Sequence, residues 1–118
     1  KDTHMITYKI TPAKAQTFFK RFHKWVKYWG LDKCWDISED IEASDVFNAA
    51  VRLGEGDASV TIVIATEWDN QPTIEELDYV AFHESLHLLL APLNPDLSNI
   101  GAEHRIIRTL EKMVYPHL

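Results

Sequence analysis

The sequence has 118 residues, a formal net charge of −6 and 46% hydrophobic residues. This length is typical of one domain, and the balance of hydrophobic and charged residues argues against intrinsic disorder. The acidic charge argues against a nucleic-acid-binding surface, and the single cysteine excludes an internal disulfide. No apolar run is long enough to span a bilayer. We therefore expect a globular protein of a reducing compartment, the cytoplasm, with neither a membrane nor a nucleic acid as partner.

The first four residues resemble a cloning remnant. The pair His4-Met5 is common at cloning junctions, and Met5 is the expected native start. We therefore expect the domain to cover residues 5–118 and leave His4 out of the search for functional histidines.

The first predicted element is an amphipathic helix. Thr11 and Pro12 are typical of a helix N-terminus, and Gly30 is typical of a C-terminus. Large apolar side chains at helical spacing predict the buried face: Phe18, Phe19, Phe22, Trp25, Val26 and Trp29. Most lysines of the segment lie outside this face, where we expect them to be solvated, although a basic helix can also bind an acidic partner.

Three strands are predicted between residues 33 and 66. Residues 33–37 form a short strand that carries Trp35, and residues 46–53 alternate between apolar and polar. Residues 59–66 are rich in Val, Ile and Thr and predict a more central strand. A turn at residues 54–57 joins the last two strands into a hairpin.

Two helices complete the chain. Thr73 and Glu76 form a capping-box pattern, and Pro92 ends the helix that follows, over residues 74–91. The second half of this helix is apolar on nearly every side, which is typical of a buried helix. The last helix covers about residues 99–114, with Ser98 or Asn99 as its cap. We therefore predict an α+β fold with an N-terminal helix, a small and mostly antiparallel sheet, a buried helix and a C-terminal helix.

The buried helix carries the pattern HExxH, formed by His83, Glu84 and His87. The two histidines are one helical turn apart, so both imidazoles project from the same face and can reach one Zn²⁺. Glu84 lies beside them and is placed to act as a general base on water at the metal. Buried histidines held only by structural hydrogen bonds are the alternative interpretation.

A catalytic zinc has three protein ligands, and the last helix offers two candidates for the third. Glu103 belongs to an apolar stripe that predicts the inward face: Ile100, Ile106, Ile107, Leu110, Met113 and Val114. His104 lies about 100° around the helix from Glu103, from the 3.6-residue period. We favour Glu103 over His104 as the third ligand. The alternative for Glu103 is that its carboxylate only complements the positive end of the helix dipole and binds no metal.

An HExxH helix followed by an inward glutamate resembles the gluzincin metallopeptidases. The order of elements is similar to the minimal members called minigluzincins and to small predicted metallopeptidases of phage and bacterial genomes. The resemblance is specific over residues 82–90 and 102–110. It implies a zincin-like domain over 5–118, zinc bound by His83, His87 and Glu103, Glu84 as general base, and hydrolysis of a peptide or protein substrate.

No motif in the sequence identifies the group that orients a metal-binding histidine or the group that stabilises an oxyanion. Larger gluzincins carry an Asp four residues after the third ligand, and this chain has Ile107 there, so another group must orient a histidine. The candidates to stabilise an oxyanion are Tyr115, His117 and Tyr79, without a spacing argument for any of them. The resemblance also implies that an edge strand holds the substrate, either around residues 35–37 or at residues 46–53.

Two other functions stay open from the sequence. The domain could be a catalytically silent zincin-fold binding protein in which zinc is a structural staple, because small domains gain stability from a metal. It could also be an accessory factor whose HExxH is coincidental. The oligomeric state is not indicated by any pattern.

Overall fold

A computed structural model describes residues 6–54, 58–93 and 98–117. The described chain has the predicted α+β fold. Its helices and strands follow in the order β1 (Tyr8–Lys9), α1 (Pro12–Tyr28), β2 (Asp36–Glu42), β3 (Ala49–Leu53), β4 (Ser59–Ala65), β5 (Glu67–Trp68), α2 (Ile74–Leu90) and α3 (Ile100–Met113). The predicted remnant at 1–4, Met5 and most of the predicted turn at 54–57 lie outside the described residues.

Helix α1 begins and ends as predicted. The Thr11 hydroxyl accepts a hydrogen bond from the Lys14 N–H at 3.2 Å, which caps the N-terminus. Gly30 follows the C-terminus with φ at +76°, a left-handed conformation that favours glycine. The aromatic stripe lies in the core, with Phe18 and Phe22 fully buried. Helix α1 packs along α2 through this face.

The main sheet has the strand order β2-β4-β3, so β4 is central. Strands β3 and β4 form the predicted antiparallel hairpin, with Ala49 opposite Ile64. Strand β2 pairs parallel to β4. The short strands β1 and β5 form a separate antiparallel pair. In the part of the chain that the structure describes, two of the three strand pairs are antiparallel, and both β2 and β3 are edge strands.

The predicted strand boundaries at the two edges were wrong. Strand β2 covers Asp36–Glu42 rather than 33–37. Its charged residues have low β-propensity, and the pairing with β4 outweighs that preference. Strand β3 starts at Ala49 rather than at residue 46, because the Ser44 hydroxyl accepts hydrogen bonds from the Val46 and Phe47 N–H groups and forms a turn there.

Helix α2 is buried, as its apolar character predicted. The Thr73 hydroxyl accepts from the Glu76 N–H at 3.1 Å at its N-terminus, and the helix ends at Leu90. Both β3 and α3 pack against α2, which therefore lies between the edge of the sheet and the last helix. This position places the HExxH residues at a junction of three elements.

Helix α3 presents a different face from the predicted stripe. Ile106 is 46% exposed and Met113 is 68% exposed, so these two side chains do not face inward. The buried residues are Glu103, Ile107 and Glu111, which are spaced by four. A spacing of four keeps side chains on one face of a helix, and this face is directed at α2. Two carboxylates are therefore buried at the α2–α3 contact.

Among the described residues, no helix combines the length and apolar character needed to cross a membrane.

Candidate metal centre

His83 and His87 lie on one face of α2, with their Nε2 atoms 3.2 Å apart. Two nitrogens bound to one tetrahedral zinc at ~2.0–2.1 Å are separated by roughly 3.3 Å. The two rings therefore have a spacing that fits a shared ion without a change of rotamer. Burial lowers the pKa of His87 and so favours its neutral ring, the form that binds metals.

His104 of α3 is the third histidine of the cluster. One potential ligand atom from each of His83, His87 and His104 lies within 4.8 Å of the other two. The ring centroids of His87 and His104 are 4.9 Å apart. The three histidines are thus close enough to bind a metal ion.

Glu103 faces inward, as predicted, and is only 5% exposed. Its Oε2 hydrogen-bonds the Nδ1 atom of His87. Nδ1 and Nε2 lie on opposite edges of the imidazole, so an oxygen held at Nδ1 is distant from an ion at Nε2. In this arrangement Glu103 contacts the outer nitrogen of His87, and His104 is the residue of α3 that lies within metal-binding distance of His83 and His87.

Glu111 makes the equivalent contact to His83. Its Oε2 lies 2.6 Å from the Nδ1 atom of His83, and its carboxylate also accepts a hydrogen bond from the Tyr79 hydroxyl. We did not identify Glu111 from the sequence. The spacing of four that links Glu103, Ile107 and Glu111 could have identified Glu111 as a residue of the inward face. The prediction instead placed Ile106 and Met113 on that face.

Glu84 is 6% exposed and lies beside the histidine cluster. Burial raises its pKa to about 8, and the Val51 backbone N–H, which donates to its carboxylate, limits this rise. A carboxyl group with a pKa near neutral can both accept and release a proton at physiological pH. Glu84 is therefore a buried carboxyl group that lines the cleft beside the histidines.

The cluster opens into a cleft of about 910 Å³. Strand β3 forms one wall, and α2 and α3 supply the motif residues, Glu103, His104 and Ile100. The Gly54 N–H donates to the Ser59 carbonyl, and the Ala65 N–H donates to the Asn48 carbonyl. These bonds show that the backbone N–H and C=O groups of the even-numbered residues in 48–54 point toward β4. Because antiparallel pairing alternates, the backbone groups of Ala49, Val51 and Leu53 point to the free edge of the sheet. The cleft therefore has backbone donors and acceptors beside the histidines.

The three aromatic or histidine candidates for an oxyanion stabiliser lie elsewhere. None of Tyr79, Tyr115 and His117 lines the cleft. The Tyr115 hydroxyl donates to Asp78 at 2.7 Å, and the Tyr79 hydroxyl donates to Glu111. His117 is exposed in a 3₁₀ turn after α3. The structure does not bring these residues together with His83, Glu84 and His87 around the cleft.

The sequence matches no known family model, and no curated protein or solved structure is similar enough to it to count as a relative. The resemblance to gluzincins thus stays a prediction that depends on the motif.

Proposed function

We propose that this chain is a zinc-dependent peptidase. The observation that carries the proposal is the convergence of the His83 and His87 Nε2 atoms with His104, beside the buried Glu84 and at the free edge of β3. Three protein ligands and an open position are typical of catalytic zinc sites, whereas structural sites are closed by a fourth protein ligand.

His83, His87 and His104 would hold the ion, with His104 rather than Glu103 as the third ligand. The imidazole nitrogens of these residues fit zinc in type and number. Glu103 supports this assignment indirectly, because its carboxylate occupies the outer nitrogen of His87 and so directs Nε2 toward the cluster.

When bound, zinc supplies Lewis-acid chemistry, because it polarises a carbonyl group and makes water more acidic. Glu84 takes up a proton from the attacking water and gives it to the leaving amine. Its buried position beside the histidine cluster places it for both steps. The Val51 N–H donor holds this carboxylate at the wall of the cleft.

The substrate that fits the cleft is an extended peptide. Both β2 and β3 are edge strands, but only β3 lines the cleft. A peptide added to β3 would pair with the free backbone groups of Ala49 and Leu53 and with the Val51 carbonyl. This arrangement selects the second of the two edge segments expected from the sequence.

The ligand set is tested by loading the protein with Co²⁺, which reports tetrahedral coordination in its visible spectrum. We expect one ion per chain, loss of the tetrahedral spectrum in His104→Ala, and a retained spectrum with about 10–100-fold weaker binding in Glu103→Gln. The reverse pattern would assign Glu103 as the ligand. A protein that binds no Co²⁺ or Zn²⁺ at neutral pH would refute the proposal.

Peptidase activity is tested with a peptide library, read by mass spectrometry. Glu84→Gln removes the proton acceptor while it leaves the three histidines unchanged. We expect it to retain zinc and to lose about 10²–10⁴-fold in cleavage rate. Stoichiometric zinc in a wild-type protein that cleaves no peptide of the library would instead support a binding protein with a structural zinc.

A further inference from the structure

The α2–α3 contact contains a buried carboxylate that the proposed reaction does not use. The Glu111 side chain is 8% exposed and faces α2. A carboxylate is buried at a large cost in free energy unless it has partners. Glu111 has two such partners among the described residues, the His83 ring and the Tyr79 hydroxyl.

Tyr79 and His83 are one helical turn apart on α2, so both reach the same carboxylate of α3. Burial and the hydrogen bond to Glu111 raise the pKa of Tyr79 to about 12, so its hydroxyl stays protonated at neutral pH and acts as a donor. The Tyr79 hydroxyl therefore holds the same Glu111 carboxylate that contacts His83.

We propose that Glu111, held in place by Tyr79, is a positioning residue that fixes the ring and the tautomer of His83. A carboxylate at 2.6 Å from Nδ1 favours the tautomer in which Nδ1 carries the proton. That tautomer leaves a lone pair on Nε2, which is directed at the Nε2 atom of His87. The use of this lone pair for a metal rests on the proposed function, whereas the selection of the tautomer does not.

The tautomer is tested first on metal-free protein, by ¹⁵N NMR of the histidine rings. We expect His83 to carry its proton on Nδ1 in the wild type and to shift toward the other tautomer in Glu111→Leu. Glu111→Gln keeps an acceptor and should shift less. Glu75→Gln is the matched control, since Glu75 is an exposed carboxylate in the first turn of the same helix.

The second readout is the affinity for Co²⁺, measured by competition with a chelator. We expect binding to weaken about 10–100-fold in Glu111→Leu, less in Glu111→Gln, and about 3–10-fold in Tyr79→Phe, where one hydrogen bond to the carboxylate is lost. The intensity of the Co²⁺ bands should change in these variants, because the ring is no longer held in one orientation, but not in Glu75→Gln.

An unchanged His83 tautomer, together with Co²⁺ affinity within twofold of wild type in Glu111→Gln and Tyr79→Phe, would overturn the proposal. If Glu111→Leu does not fold, as judged by circular dichroism, the proposal is tested with Glu111→Gln and Tyr79→Phe alone. A wild type that binds no Co²⁺ would refute the proposed metal function, and a tautomer shift in the Glu111 variants would still support the positioning role.

Discussion

The three buried glutamates of the candidate centre differ in the partners that offset the cost of burying a carboxylate. The carboxylates of Glu103 and Glu111 contact histidine rings. Among the described residues, Glu84 has the Val51 backbone N–H as its donor and no hydrogen bond to a histidine, so desolvation dominates and raises its pKa. In the absence of a metal, Glu84 is therefore a group whose ionisation opposes folding.

This opposition predicts that Glu84→Gln stabilises the metal-free protein at high pH. The folded pKa of about 8 lies above the ordinary glutamate value of 4.5, so the contribution of Glu84 to stability is retained at low pH and is lost as pH rises from about 4.5 toward 8. Glu84→Gln has no carboxyl group to ionise, so its stability does not fall for this reason. We expect its free energy of unfolding at pH 8 to exceed that of the wild type by on the order of 1–3 kcal/mol. Urea unfolding with a chelator at pH 4 and pH 8 measures the difference.

The advantage should vanish at pH 4, where the carboxyl group is protonated in both states. Glu75→Gln is a suitable control, because its carboxylate is exposed. A Glu84→Gln variant that is no more stable than wild type at pH 8 would contradict the assignment of a desolvated carboxylate.

A second prediction at the residue scale concerns Asp78, which joins three elements. Its carboxylate accepts hydrogen bonds from Tyr115 at 2.7 Å, Trp25 at 3.1 Å and Arg21 at 3.3 Å. Asp78→Ala leaves these donors without their acceptor, and we expect a loss of about 2–4 kcal/mol in the free energy of unfolding. Urea denaturation measures this loss.

Asp32→Ala serves as the comparison for Asp78→Ala, because Asp32 is exposed in the segment after α1. We expect it to change stability by less than about 0.5 kcal/mol. Equal effects of the two substitutions would show that the Asp78 cluster does not stabilise the fold.

At the scale of elements, the three strands of the main sheet differ in burial and in how well they could accept a further strand. Strand β4 is paired on both sides and buried, which its run of Val and Ile residues predicted. Strand β2 is charged and largely exposed, and charged edges discourage the addition of further strands. Strand β3 has an apolar face and a free edge at the cleft, so it is the edge that remains suited to a peptide.

The difference between β4 and β2 is tested with one substitution in each. Ile62 is fully buried in β4, and Ile62→Ala should cost about 2–5 kcal/mol because it creates a cavity. Ile41 in β2 is 49% exposed, and Ile41→Ala should cost clearly less. Chemical denaturation gives both values, and a larger effect at Ile41 would contradict the assignment of β4 as the core strand.

At the scale of the whole molecule, the candidate centre links α2 to α3 and lies at the edge of β3. An ion bound by His83, His87 and His104 would therefore connect α2 to α3, since His104 follows His87 by 17 residues in the sequence. Because a ligand that binds only the folded state stabilises it, zinc should raise the melting temperature.

At a free zinc concentration of about 100 times the dissociation constant, the gain is about 2.7 kcal/mol, which corresponds to a shift on the order of 10 °C for a domain of this size. Differential scanning fluorimetry with and without zinc measures it. We expect His83→Ala to abolish the shift and His117→Ala to retain it, since His117 lies outside the cleft. A shift that survives in His83→Ala would place the zinc elsewhere.

Much of the fold followed from local patterns in the sequence. Thr11, Thr73 and Gly30 mark helix ends because capping depends on neighbouring backbone groups. The hairpin of β3 and β4 followed from alternation and composition. The boundaries of β2 were not predicted, because each residue of β2 pairs with a residue of β4 that lies 23 positions later, and no local pattern in β2 indicates this pairing.

The sequence by itself determined the α+β class, the buried helix and the alignment of His83 with His87, since each of these depends on helical or strand periodicity. Only the tertiary structure decided which side chains of α3 meet them. The rotation of α3 against α2 brings His104 close to His83 and His87 and turns Glu103 and Glu111 toward the outer nitrogens of these two rings. That rotation depends on the packing of Ile107 and its neighbours in three dimensions, because Ile106 and Ile107 are equally apolar and only contact with α2 distinguishes them.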